Sequence, residues 1–310
     1  MSEPATDQRR PRLDATAAAV LLLCCVLWGL NHVATKLTLA EVPPLLQAGV
    51  RSLGAALLVS LWARWRGIPM PLGNGTAPGG LLAGGLFAAE FACIFIGLQY
   101  TNASRMTVFL YSAPFVVALG MPLVAKVERP SALQLLGLGA AFAGVAWAFA
   151  EGHARPVAGD RQWLGDALGV AAALLWGGTT LAVRATRLNT AAPEQTLWWQ
   201  LVVSGVLLTG GSLAAGETWP APGALGLQTL ALWLGFQTVV VTFASFLVWF
   251  WLVRHYPATQ LSAFTLLTPL VGLLAGVGLL GETLTPRLAV ACAAVVLGIA
   301  LVNRPGRPRR

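Results

Sequence analysis

Two stretches, LLLCCVLWGLNHVATK at 21–36 and VAAALLWGGTTLAVR at 170–184, decide the fold between them. Each is an apolar run centred on a Leu-Trp-Gly triplet, at Leu27, Trp28 and Gly29 and again at Leu175, Trp176 and Gly177. A helix needs about 20 mostly apolar residues to cross a hydrocarbon core of roughly 30 Å, and both runs extend to that length. One span pattern occurring twice, half a chain apart, predicts a membrane protein built by internal duplication.

Further correspondences radiate from the triplets. Pro44 is followed seven positions later by Arg51, and Pro193 seven positions later by Gln200. Tyr100, Ala103 and Pro114 answer to Tyr256, Ala258 and Pro269, with equal spacing from alanine to proline. Glu128 and Gly144 match Glu282 and Gly298, again equally spaced.

Apolar stretches of spanning length recur near residues 16–37, 43–63, 79–99, 104–125, 131–150, 165–186, 193–214, 226–251, 258–280 and 285–303. Five spans per repeat is an odd number, so the second repeat enters the membrane from the opposite side. The predicted fold is an all-α integral membrane protein of ten transmembrane helices, arranged as two inverted five-helix repeats. Residues 1–15 form an N-terminal tail, 16–152 the first repeat, 153–303 the second and 304–310 a basic tail. Inverted repeats recur in secondary transporters, because two similar halves of opposite orientation can expose one central site alternately to either face.

Composition agrees with lipid as the solvent. Of 310 residues, 56% are hydrophobic and 10% charged, against about 25% charged in a soluble domain. An outer-membrane barrel would show short alternating segments, and the sequence has none. The net charge of +8 does not line one helical face as it would for nucleic acid. The basic residues sit between spans, with most of them, including Arg9, Arg10, Arg12, Arg64, Arg66, Lys126, Arg129, Arg184, Arg187, Arg254, Arg304, Arg307, Arg309 and Arg310, on one side. Lys36, Arg105, Arg155, Arg161 and Arg287 fall on the other. The positive-inside rule makes the richer side cytoplasmic, so both termini are expected there, in the inner (plasma) membrane of a bacterial-type cell. No cleavage motif follows a short apolar core, so 16–37 reads as a retained first helix. Cys24, Cys25, Cys93 and Cys292 all lie within spans and read as packing residues.

On the Trp-Gly pairs, the tyrosine-alanine entry to the fourth span, its inner proline and the closing glutamate, the chain resembles drug/metabolite transporters of the EamA type. The likeness runs from residue 16 to 303. It implies a substrate cavity between the halves, walled by the first four helices of each repeat, with the fifth helices packed together behind. Small residues let membrane helices approach closely, and Gly137, Gly139, Ala141, Ala143 and Gly144 in 131–150 face that expectation together with Ala289, Ala291, Ala293, Ala294 and Gly298 in 285–303. The segment AEFACIFIGLQY at 89–100 is also similar to the third helix of aromatic amino acid exporters of that family.

An ionisable side chain inside a span costs several kcal/mol unless it faces protein or water, so each is a candidate for function. Glu90 sits at the centre of the third span and has no acidic counterpart in the eighth, where Ser245 or Phe246 falls. It either carries a coupling proton, pairs with a substrate amino group, or makes a structural hydrogen bond. Asn31 and His32 follow the first Trp-Gly pair, and His32 is read either as a titrating gate or as a packing residue. Arg51 is expected in a structural ion pair. Trp28 and Trp176 occupy equivalent mid-membrane places, with Tyr111 and Phe243 as companions and Thr179 and Gln237 as hydrogen-bonding groups. A pocket of that kind suits an amphipathic substrate with a flat apolar part, such as an aromatic amino acid. Pro114 and Pro269 lie within the fourth span of each repeat, as hinges or as fixed bends. Glu128 and Glu282 close those spans and are read as solvating helix ends. Trp62, Trp65, Trp163, Trp219 and Trp251 fall near interfaces.

The substrate class that follows is a small metabolite, best an amino acid, moved by alternating access by a monomer in the bilayer. No cofactor, metal, nucleic acid or catalytic residue is called for. A membrane enzyme would need clustered catalytic groups, and His32, His153 and His255 are scattered. A channel would place a filter on an oligomer axis. A nucleotide-sugar carrier would need several cavity cations, and only Arg51 and Lys36 are near.

Overall fold

The computed structural model describes residues 14–124, 132–154, 158–221, 223–256, 265 and 267–302, and these residues are helical with no strand. Helix α1 covers Ala15–Thr38, α2 Pro44–Trp65, α3 Ala77–Gly97, α4 Ala103–Leu110, α5 Ala113–Val124, α6 Ala132–Ala154, α7 Gln162–Ala185 and α8 Pro193–Ala214. A short turn α9, Leu227–Leu230, leads into a π-helical stretch, Ala231–Ser245, continued by α10, Phe246–His255; α11 is Leu267–Leu280 and α12 Pro286–Val302. Glu128 and Ala258 lie outside the described residues.

Seven helical stretches are long and apolar enough to cross a membrane: Ala15–Thr38, Pro44–Trp65, Ala77–Gly97, Ala103–Val124, Gln162–Ala185, Pro193–Ala214 and Leu227–Trp249. Three shorter apolar helices, Leu135–Ala148, Leu267–Leu280 and Pro286–Gly298, fall where the fifth, ninth and tenth spans are expected. At a rise of about 1.5 Å per residue, the 14 residues of α11 reach roughly 21 Å, less than a hydrocarbon core.

Local chemistry explains where several helices start and stop. Asp14 caps α1 by accepting from Ala17 N at 2.8 Å, and the Tyr256 hydroxyl donates to its other oxygen at 2.7 Å. The matched prolines of the sequence repeat do one job: Pro44 and Pro193 each open a helix, where a missing N–H has no partner to lose. Gly281 adopts φ 65° after α11, the left-handed turn that ends a helix at little steric cost and swings Glu282 back toward α4.

Two spans depart from regular helix. The fourth is broken rather than merely bent. Pro114 cannot donate to the carbonyl four residues back; the chain tightens, with Ser112 N donating to Phe109 O at 3.1 Å, and restarts as α5, with Phe115 N donating to Ser112 O at 3.0 Å. In the eighth span the Thr238 and Thr242 hydroxyls donate to carbonyls five residues back, Trp233 O at 3.1 Å and Gln237 O at 2.7 Å. This wide helix was not expected, and such stretches concentrate at functional places.

Helix partners exchange when the halves are interchanged. α3 packs on α7 as α1 packs on the π-helical stretch, and α3 packs on α8 as α2 packs on that stretch. α4 and α5 pack on α7 as α11 packs on α1, while α2 with α8 and α6 with α12 pair across the centre. The α6–α12 contact uses the small residues singled out in the sequence. A Cβ added at Gly298 would stand 2.7 Å from Gly137 O and 2.9 Å from Ala141 Cβ, and one at Gly144 would stand 2.9 Å from Ala294 Cβ. Backbone on the far side cannot yield, so Gly298→Val is expected to destabilise the detergent-solubilised protein by about 1–3 kcal/mol, read as a lower thermal midpoint. Gly139→Ala, where nothing lies within 4 Å of the new carbon, should leave the midpoint unchanged.

Candidate functional site

His32, Arg51 and Glu90 come to one depth. His32 lies six residues before the end of α1, Arg51 seven after the start of α2, and Glu90 seven before the end of α3. Because α1 and α2 meet at a tight turn and α3 runs antiparallel to α2, all three stand roughly 10 Å below the same end of the bundle. Asn31 adjoins them. Their exposures are 7% for Asn31, 6% for His32, 1% for Arg51 and 4% for Glu90. Asn31 Oδ1, His32 Nδ1, Arg51 Nε and Nη2, and Glu90 Oε2 are buried without hydrogen-bond partners, as are both amide atoms of Gln47 one turn before Arg51.

The ion pair expected for Arg51 does not form. Its guanidinium lies over the Phe91 ring at 4.2 Å and the Phe95 ring at 5.0 Å, and among the described residues no carboxylate forms a salt bridge with it. Phe87, Phe91 and Phe95 form a stripe, with ring centroids 4.6 and 6.1 Å apart. Their four-residue spacing, which sets all three on one face of α3, is the sequence signal for this stripe. An aromatic face stabilises a cation in low dielectric but satisfies none of its N–H groups.

The other expected residues are placed variously. Trp28 Nε1 donates to Ser245 Oγ at 2.9 Å and its ring meets Phe246 and Trp249 edge-on. Trp176 meets Tyr111 edge-on at 5.5 Å, so the two tryptophans have separate partners on opposite halves. Phe243 packs on the central apolar cluster and on Trp62. Thr179 donates to its own helix at Leu175 O. Gln237 uses both ends of its amide to bridge to α1, accepting from Thr35 at 3.1 Å and donating to Thr38 at 3.2 Å. Pro114 lies in the first turn of α5, and Pro269 is the third residue of α11.

The end where α1 finishes is held by charge. Glu282 accepts from Ala103 N at 2.7 Å and Ser104 N at 2.9 Å, capping α4 from the other half, with Lys36 Nζ 3.6 Å away. Lys36 also donates to Thr101 O at 2.6 Å. Arg105, counted from sequence as an outer loop charge, is buried: its Nε lies 3.1 Å and its Nη2 2.6 Å from the carboxylate of Asp166. Thr101 donates to Asp166 Oδ1 at 2.6 Å, and Arg105 Nη2 reaches Ala148 O at 2.6 Å. Arg105 Nη1 lies 3.8 Å from Glu151, which accepts from Thr285 at 2.6 Å. Asp166 carries no motif of its own, and nothing in the sequence marks it. A cavity of about 500 Å³ opens at this end between Leu39–Pro44, Gln99, Glu217 and Thr218.

With this geometry the comparisons with known proteins can be read. The model of the EamA-like transporter family matches residues 15–150 and 163–304. The chain belongs to the EamA-like transporter family. Its two matched segments coincide with the two halves that exchange packing partners. A Bacillus subtilis relative described as "Uncharacterized transporter YvbV" is 29% identical over 96% of this chain and 95% of its own. A Salmonella typhimurium relative described as "Probable amino-acid metabolite efflux pump" is 30% identical over 85% of this chain and 87% of its own. A crystal structure superposes with a TM-score of 0.64 at 17% identity, covering 93% of this chain and 97% of that one, a likeness of fold alone. The protein is thus a multi-pass membrane protein of a transporter family, and the two relatives named above are described as a transporter and an efflux pump.

In this EamA member, removing one partner of a buried ion pair leaves an uncompensated charge, which costs about 3–5 kcal/mol. Asp166→Leu is therefore expected to lower the thermal midpoint steeply. Adding Arg105→Met to it should restore most of the loss, because two apolar groups replace two charges. An unaltered midpoint in the single variant would refute a holding role for the pair.

Proposed function

We propose that the protein is a secondary transporter that exports small metabolites, best amino acids including aromatic ones, across the inner membrane. Ten spans form two inverted five-helix repeats with both termini cytoplasmic, and alternating access proceeds through a cavity between the repeats. The exchange of helix partners between the halves supports the inverted arrangement. The name of the Salmonella relative supports the amino-acid class.

The observation that carries this reading is the set of unpartnered buried polar atoms on Asn31, His32, Arg51 and Glu90. In hydrocarbon each such atom costs free energy, and a polar solute that meets them in one conformation removes that cost. Around them Trp28, Tyr111, Trp176, Thr179, Gln237 and Phe243 form the path. The hydrogen bonds of Trp28 with Ser245 and of Gln237 with Thr35 and Thr38 join the halves and exchange as the halves move, with Pro114 and Pro269 as hinges. The protein works as a monomer in the bilayer without a cofactor.

Counterflow in proteoliposomes preloaded with unlabelled amino acids tests this. Labelled phenylalanine should accumulate transiently with wild type. Trp28→Ala should reduce the accumulation roughly tenfold or more, the scale of a lost aromatic anchor and its hydrogen bond. Glu90→Gln should flatten the pH dependence of exchange while the protein remains folded. Failure of wild type to accumulate any amino acid would sink the amino-acid reading.

A further inference from the structure

We infer that Arg51 is the carboxylate anchor of the transported molecule, gripping it through the Nε–Nη2 edge of the guanidinium, with Glu90 placed to receive the substrate's ammonium group. The inference deepens the proposed amino-acid reading and rests on it for the choice of probe, though not for the role of Arg51.

The protein contains its own template for the grip. Arg105 holds the Asp166 carboxylate through Nε, at 3.1 Å, and Nη2, at 2.6 Å. That side of the guanidinium presents two parallel N–H groups that match a carboxylate. At Arg51 the same two atoms, Nε and Nη2, are buried and have no partner. The flat face of the group is already covered by Phe91 and Phe95, so the edge is what remains for a ligand.

Glu90 narrows the ligand. It precedes Phe91, over whose ring the Arg51 guanidinium lies, and its Oε2 is itself without a partner. A phosphate or a dicarboxylate would offer Glu90 no cation to pair with, whereas a zwitterion sets its own carboxylate on Arg51 and its ammonium on Glu90. The second half offers no duplicate: the position matching Arg51 is Gln200, and that matching Glu90 is Ser245 or Phe246, both of which meet Trp28. The polar head is read by α1–α3 alone, and the apolar remainder faces the aromatic residues between the halves.

A structural arginine and a ligand-binding one differ in what their loss does to the empty protein. Replacing a buried, unpaired cation by an apolar chain of similar length relieves a desolvation cost. Arg51→Met is therefore expected to raise the thermal midpoint of the ligand-free, detergent-purified protein. L-phenylalanine, L-phenylalaninamide and 3-phenylpropanoate are then added to wild type and variant. For wild type, phenylalanine should raise the midpoint by about 2 °C or more, and bind roughly tenfold to hundredfold more tightly than the amide; Arg51→Met should remove that preference. Arg51→Lys should retain part of it, keeping the charge and losing the fork.

A lower midpoint for ligand-free Arg51→Met would overturn the inference, as would phenylalanine and its amide acting alike on wild type, or no response to any of the three. Stabilisation by 3-phenylpropanoate through Arg51 without any response to phenylalanine would uphold the carboxylate anchor and defeat the amino-acid reading. Equal stabilisation of wild type and variant by phenylalanine would do the reverse.

Discussion

No water reaches the middle of a bilayer, so each polar group there must find its partner within the chain, and this constraint sorts the polar residues of the protein into two kinds. The first kind makes hydrogen bonds that cross between the halves: Arg105 with Asp166, Glu282 with the start of α4, Gln237 with Thr35 and Thr38, and Trp28 with Ser245. The second kind has atoms left over, and on Asn31, His32, Arg51 and Glu90 these gather at one depth on α1–α3. Engaged groups hold one arrangement of the halves. Unengaged groups mark where the arrangement is energetically incomplete.

Duplication supplied the scaffold more evenly than it supplied the chemistry. Pro44 and Pro193 open matching helices, and the small residues of α6 and α12 meet across the centre. The charged residues do not repeat in this way. Arg51 answers to Gln200, and Glu90 answers to Ser245 or Phe246, both of which meet Trp28. Scaffold residues and charged residues thus follow different rules on the same helices.

Most of the fold was legible in the sequence, because span length and the spacing of small residues are local properties. About twenty apolar residues in a row can satisfy their backbone in lipid only as a helix, and the small residues Gly137, Gly144 and Gly298 fit the close packing of the fifth helices that the family resemblance implies. Pro114 signalled an interruption, although whether the helix would bend or break depended on how Ser112 and Phe115 closed the turn. The π-helical stretch, where Thr238 and Thr242 reach the fifth carbonyl back, gave no local sign in the sequence.

The sequence by itself determined that the chain is apolar enough to live in a membrane, that it is a duplication, and that Arg51 and Glu90 lie inside its spans, since each of these needs only composition and spacing. The tertiary structure alone decided which of those residues are partnered. Arg105 and Asp166 are 61 positions apart, and Arg51 meets Phe91 and Phe95 instead of a carboxylate, because the rotation of each helix about its axis sets what a long side chain reaches. That rotation is fixed by the packing of the whole bundle, which no short stretch of sequence encodes.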